Sequence, residues 1–127
     1  MEKEVLEYFL PAELLKYFTI TNISKKVDTK TKEEDIEIEL EEINKIPTGY
    51  DSAQYESKGF FEPKRIQDFP IRGKAVYLVI KRRRWRHKIN KDEIITNDYS
   101  LVADGSKLTQ ELADFLKGIG RDPGRYS

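Results

Sequence analysis

Eight consecutive residues, Lys81-Arg82-Arg83-Arg84-Trp85-Arg86-His87-Lys88, hold six permanent cations. Like charges held this close repel one another, and an anionic partner relieves the repulsion. In an extended strand successive side chains point to opposite faces, so Arg82, Arg84 and Arg86 share one side while Lys81, Arg83 and Trp85 share the other. Either side can follow a phosphate backbone. Arginine also reads guanine in the major groove, and Trp85 can stack on an unpaired base. Lys64, Arg65, Arg72 and Lys74 lie close by in sequence and extend the patch. The competing reading is intramolecular, with the strand end protruding and its cations paired to Glu37, Glu39 and Glu41. Charge density beyond the needs of solubility favours a nucleic-acid surface made of Lys64, Arg65, Arg72, Lys74, Lys81, Arg82, Arg83, Arg84, Trp85, Arg86 and Lys88.

Other chemistry finds little support. His87 is the only histidine, and a lone histidine in a basic run serves more often as a polar contact than as a general base. Asp68, Asp98 and Asp104 are conceivable as a metal cluster, but turn and capping roles explain each of them. With no cysteine, disulfides and thiolate zinc sites are excluded. No nucleophile elbow or phosphate-cradling glycine loop is present. The expectation is a binding module without catalytic residues, metal or cofactor.

The formal charge of zero hides an asymmetry. Residues 1–57 carry seven Lys/Arg against fourteen Asp/Glu, whereas residues 58–88 carry eleven basic and two acidic side chains. A length of 127 residues suits one domain, expected over residues 1–120, with 121–127 a disordered tail. No apolar run is long enough to span a bilayer and the first residues lack a signal-peptide pattern, so a cytoplasmic protein is expected.

The elements that must position the basic run predict an α+β fold. Val5, Leu6, Phe9 and Leu10, then Leu14, Leu15 and Phe18 after Pro11, recur at helical spacing and predict an N-terminal helical segment over 3–17. Residues 18–23 and the faultless alternation Asp35-Ile36-Glu37-Ile38-Glu39-Leu40-Glu41 predict a first hairpin. Residues 44–59 read as irregular, with Tyr50, Tyr55, Phe60, Phe61 and Phe69 as core around them. A second hairpin runs from Phe60 to Phe69 and from Lys74 to Arg86 around Pro70-Ile71-Arg72-Gly73, the last strand leaving the core for solvent. Residues 93–96 form a further short strand. Leu108, Leu112, Phe115, Leu116 and Ile119 predict a C-terminal amphipathic helix ending at Gly118 and Gly120. Two antiparallel hairpins would thus make one small sheet flanked by helices.

The stretch from Glu56-Ser57-Lys58-Gly59-Phe60-Phe61 through Ile66-Gln67-Asp68-Phe69-Pro70-Ile71-Arg72-Gly73 and Val76-Tyr77-Leu78-Val79-Ile80 to Arg83-Arg84-Trp85 resembles the N-terminal region of bacterial insertion-sequence transposases. The leading Tyr8-Phe9-Leu10-Pro11 and trailing Ser100-Leu101-Val102-Ala103-Asp104-Gly105 extend the likeness over most of the chain. It is most similar to a variant in which that region is a separate small protein. Zinc-ribbon relatives carry cysteine pairs near Pro47-Thr48-Gly49 and near residues 86–90, and both pairs are absent here. The resemblance therefore implies a metal-free relative without the nuclease core. Its expected partners are DNA at the element ends and a separately encoded catalytic subunit. The alternative expectation is a protein-interaction module that self-associates or docks such a partner through its oppositely charged halves.

Overall fold

A computed structural model describes residue 10, residues 12–97, residue 99 and residues 110–118. The fold is mostly β, which corrects the expected α+β architecture. Seven strands form two sheets: β1 (Phe18–Val27), β2 (Glu34–Glu42), β4 (Lys64–Ile71) and β5 (Lys74–Lys81) make the larger sheet, and β3 (Tyr55–Phe60), β6 (Arg83–His87) and β7 (Ile94–Ile95) the smaller. The N-terminal helical expectation reduces to α1 (Ala12–Leu15), one turn, because Lys16 and Tyr17 already turn the chain into β1. Residues 3–9 of that expectation lie outside the described residues. The expected C-terminal amphipathic helix is likewise cut short, to the nine-residue α2 (Gln110–Gly118), of which Leu112 and Leu116 are buried. Leu108, Ile119 and the expected tail also lie outside the described residues.

The larger sheet has strand order β1-β2-β5-β4. Both hairpins were legible, but their junction is parallel: β2 runs alongside β5 from Asp35 opposite Ala75 to Glu41 opposite Lys81. Even-numbered residues of these central strands, Ile36, Ile38, Leu40, Val76, Leu78 and Ile80, face the core with Ile20 and Ile66, beneath Leu10, Leu14, Leu112 and Leu116. Each such side chain contributes about 1.5–3 kcal/mol by leaving water. The odd-numbered face of β2 presents Asp35, Glu37, Glu39 and Glu41. Two-residue turns with positive φ suit the right-handed twist of a hairpin, and Arg72 (φ 51°) with Gly73 (φ 77°) supplies one between β4 and β5. Pro70 sits at a register shift of β4, an edge strand, where its missing N–H costs little.

Two further expectations are corrected. Residues 55–60, read as irregular, form β3, an antiparallel partner of β6. The strand expected to run from Lys74 into solvent instead crosses from the larger sheet into the smaller, breaking at Arg82. There the buried parity inverts. Burial is even-numbered through Ile80 and Arg82 but odd at Trp85, which packs in a second cluster with Tyr55, Ile95 and Ile46. Among the described residues no helix is long and apolar enough to cross a membrane.

Candidate nucleic-acid interface

The cationic run is divided by this crossing into an inward part and an outward part. Lys81, at the end of β5, lies 3.7 Å from Glu41 of the adjoining acidic strand. Arg82 is 1 % exposed. Its Nη1 donates to the Leu116 carbonyl at 3.3 Å and its Nη2 to that of Asn97, its Nε is 3.9 Å from Glu42 Oε1, and its guanidinium lies 4.7 Å from the centre of the Tyr99 ring. Glu42 is equally buried and accepts hydrogen bonds from the Tyr99 hydroxyl and the Arg83 amide. Burial pushes its carboxyl above the ordinary range, opposed by the Tyr99 and Arg83 hydrogen bonds and by both guanidinium charges. The Tyr99 hydroxyl is itself driven upward by burial and by the Glu42 charge.

Arg83 also turns back into the protein. Its Nε donates to the Glu42 carbonyl at 3.2 Å and its Nη1 to Ser57 Oγ at 2.6 Å, with the guanidinium 4.5 Å from the Phe60 ring centre. Trp85 is fully buried, and its Nε1 donates to Asn44 Oδ1 at 2.9 Å. Neither Arg82 nor Trp85 can reach a nucleic acid while the fold is intact.

Arg84 and Arg86 have the opposite orientation. Cross-strand partners in an antiparallel sheet share a face, so Arg84 with Gly59, and Arg86 with Glu56 and Ile94, lie on the side of the smaller sheet away from Trp85. Arg84 lies 5.4 Å from the Phe61 ring centre. Arg86 Nη2 is 3.5 Å from Glu56, the one carboxylate that the register sets on this face, and Lys91 of the following turn shares Glu56 at 3.6 Å. Both cations hold the Glu56 carboxyl below its usual range, Lys91 most strongly. Lys58, at the register shift of β3, and Lys88, at the end of β6, are exposed and make no ion pair among the described residues. A Cβ added at Gly59 would meet nothing within 4 Å, so the sheet is open to close approach there.

The turn bearing Lys88 and Lys91 is braced. His87 Nδ1 accepts from the amides of Ile89 (3.1 Å) and Asn90 (3.0 Å), which places the imidazole in a structural role. Its ring packs edge-on against Tyr55, whose hydroxyl bonds to Glu93 and is pushed up to about 12, chiefly by that bond.

The remaining expected residues scatter over the larger sheet. Arg65 stacks on Tyr77 at 3.6 Å and lies 3.4 Å from Glu37, and Lys74 bonds to Glu34 at 2.6 Å. Lys64 and Arg72 are exposed at opposite ends of β4. Glu37 and Glu41 therefore do serve as intramolecular partners, whereas Glu39 accepts from Asn22 at 2.7 Å. Glu42, Asn44, Glu56, Lys58 and Lys91 were missed by sequence reasoning. Glu42 continues the alternation of β2 onto its core side, a position where a carboxylate demands a buried cation. Asp68 is buried in β4, while Asp98 and Asp104 lie outside the described residues. Among the described residues no group of three His, Asp or Glu side chains is placed to hold a metal ion.

No protein-family model, curated protein or solved structure matches the chain.

Proposed function

We propose that the chain is a DNA-binding accessory module of an insertion-sequence transposase, working through the face of the smaller sheet away from Trp85. The observation that carries this reading is the placement of the half-buried Arg84 and Arg86 on the middle strand of a three-stranded sheet, on the face away from Trp85, with the exposed Lys58, Lys88 and Lys91 around them. A β-ribbon or small sheet fits the major groove, where arginine pairs with guanine edges and lysine with phosphates. Arg82 and Trp85 support this surface from behind. The transposase context rests on the resemblance of residues 56–85, and the DNA would be the element ends.

Fluorescence anisotropy with duplex and single-stranded oligonucleotides tests the reading. With four or five phosphates neutralised, log affinity should fall against log salt with a slope of about −4. Arg84→Ala with Arg86→Ala should flatten that slope by about 2. Arg65→Ala, on the other sheet, should leave it unchanged. Absence of binding to either DNA form in low salt overturns the proposal.

One observation favours a second reading. The acidic face of β2 and the cationic face of β6 lie on different sheets of one molecule, a charge arrangement suited to head-to-tail association or docking of a catalytic subunit. Light scattering separates the two: a monomer that binds DNA supports the first, and a salt-sensitive oligomer indifferent to DNA the second.

A further inference from the structure

The core face of the larger sheet is open at the end where the two hairpin turns meet. A pocket of about 400 Å³ lies there, lined by Ile23, Ser24, Lys25, Ile36, Ile71, Arg72 and Lys74. Its origin is in the register. Lys25 stands opposite Ile36 and Ile71 opposite Lys74, so the β1–β2 and β4–β5 hairpins each set an isoleucine beside a cation. Ile36 and Ile71 are nearly buried and form the floor with the half-buried Ile23. Val27, on the same side of β1, is 58 % exposed and prolongs the apolar surface outward.

The rim is cationic. Lys25 and Arg72 are exposed and make no ion pair among the described residues, while Lys74 bonds to Glu34 at 2.6 Å. Glu34 faces Lys25 as well as Lys74, so three cations against one carboxylate leave a net excess of positive charge above an aliphatic floor, with Arg72 the cation it does not offset. Pockets of this size accommodate small organic ligands, and a few convergent polar groups on an apolar lining set the ligand's orientation. Arg72 can take a carboxylate through two parallel N–H bonds. We propose that this pocket is a binding site for an amphiphilic monocarboxylate, its apolar body on Ile23, Ile36 and Ile71 and its head group between Arg72 and Lys25. A singly charged head fits better than a doubly charged one, because Glu34 stands at the same rim.

The site is on the larger sheet and does not depend on the DNA-binding face. Decanoate, decylamine and decanol titrated into the full chain, followed by amide chemical shifts, provide the test. Decanoate should saturate a single site with shifts confined to residues 23–25, 36 and 71–74, and its affinity should fall as salt rises. Decylamine should not bind and decanol should bind more weakly. Arg72 already adopts a backbone conformation that suits glycine, so Arg72→Gly should keep the fold and weaken decanoate by about tenfold, the worth of one charge-assisted pair. Ile23→Trp, at a half-buried position, should fill the cavity and abolish binding with the melting temperature retained. Decylamine binding as well as decanoate, or decanoate shifts scattered over both sheets, overturns the proposal, as does unaltered affinity in Ile23→Trp.

Discussion

Alanine at Arg82 removes a guanidinium that is 1 % exposed and leaves Glu42, 2 % exposed, facing the vacated space. The Leu116 and Asn97 carbonyls lose their donors at the same time. Breaking a buried pair from one side costs about 3–5 kcal/mol, since the surviving charge, with Arg83 and two hydrogen bonds left to it, loses its buried counterion and gains no water. A domain of this size loses roughly 4 °C of melting temperature per kcal/mol, so Arg82→Ala should melt about 12–20 °C below the parent. The deficit should depend on pH with a definite sign. Burial already raises the folded-state pKa of Glu42 above its unfolded value, so the carboxyl's contribution is most favourable below the unfolded pKa and declines as pH rises through the folded one. Without Arg82 the folded value climbs further. The deficit should therefore grow from acid to neutral pH and shrink again on acidification. Arg82→Met combined with Glu42→Gln removes both charges and should recover most of the loss. Thermal melts by circular dichroism between acid and neutral pH measure all three variants. A melting temperature within a few degrees of the parent, or a deficit independent of pH, would refute the buried network.

Arg84→Ala, two positions along, should cost less stability than Arg82→Ala, because Arg84 is half-buried where Arg82 is fully buried, while weakening DNA binding in the anisotropy assay. Trp85→Ala should destabilise by about 3–5 kcal/mol in urea titrations, emptying the centre of the smaller cluster and leaving Asn44 Oδ1 without its indole donor. Asp68 is 8 % exposed with Oδ1 unbonded, and burial raises its pKa. Its penalty is absent below the unfolded pKa and present above the folded one. Asp68→Asn should therefore raise the melting temperature at neutral pH and leave it nearly unchanged in acid. A neutral-pH melting temperature at or below the parent's would disprove that account.

The β hairpins were legible because their signals are local. The alternation of residues 35–41 and the Arg72-Gly73 turn each specify a conformation within a few residues. What misled was the assumption that alternation continues through Lys81–Arg86. A register read from Ile80 outward assigns Arg82, Arg84 and Arg86 to one face, but the chain leaves one core at Arg82 and enters another at Trp85, and no local residue pattern marks the change. The parallel pairing of β2 with β5 is a contact between residues about forty apart and has no local signature either. Leu10 and Leu14 recur at helical spacing, yet one helical turn followed directly by β1 is enough to bury both. β3 was missed because Glu56, Ser57, Lys58 and Gly59 are poor strand formers, held extended by pairing with β6.

The same parallel pairing explains why the basic sequence becomes a basic surface only at its far end. While the chain runs through β5 it lies beside the most acidic of the described strands, and the register brings Lys74 to Glu34 and Lys81 to Glu41. Glu42, the last residue of β2, then takes Arg82 through its carboxylate and Arg83 through its backbone carbonyl. Beyond that point β2 has ended, and the strand beside β6 is β3, which carries one glutamate in six residues. Arg86 must share that glutamate with Lys91. Beyond the sheet change the exposed Lys58 and Lys88 make no ion pair among the described residues, so the cationic face is set by the end of β2 rather than by the arginine count. Extending the acid supply should erase it: Ser57→Glu, beside Arg83 and facing the Trp85 side, should leave DNA binding largely intact, whereas Ile94→Glu, opposite Arg86, should abolish it. Equal losses from the two substitutions would mean that the face assignments of the smaller sheet do not govern recognition.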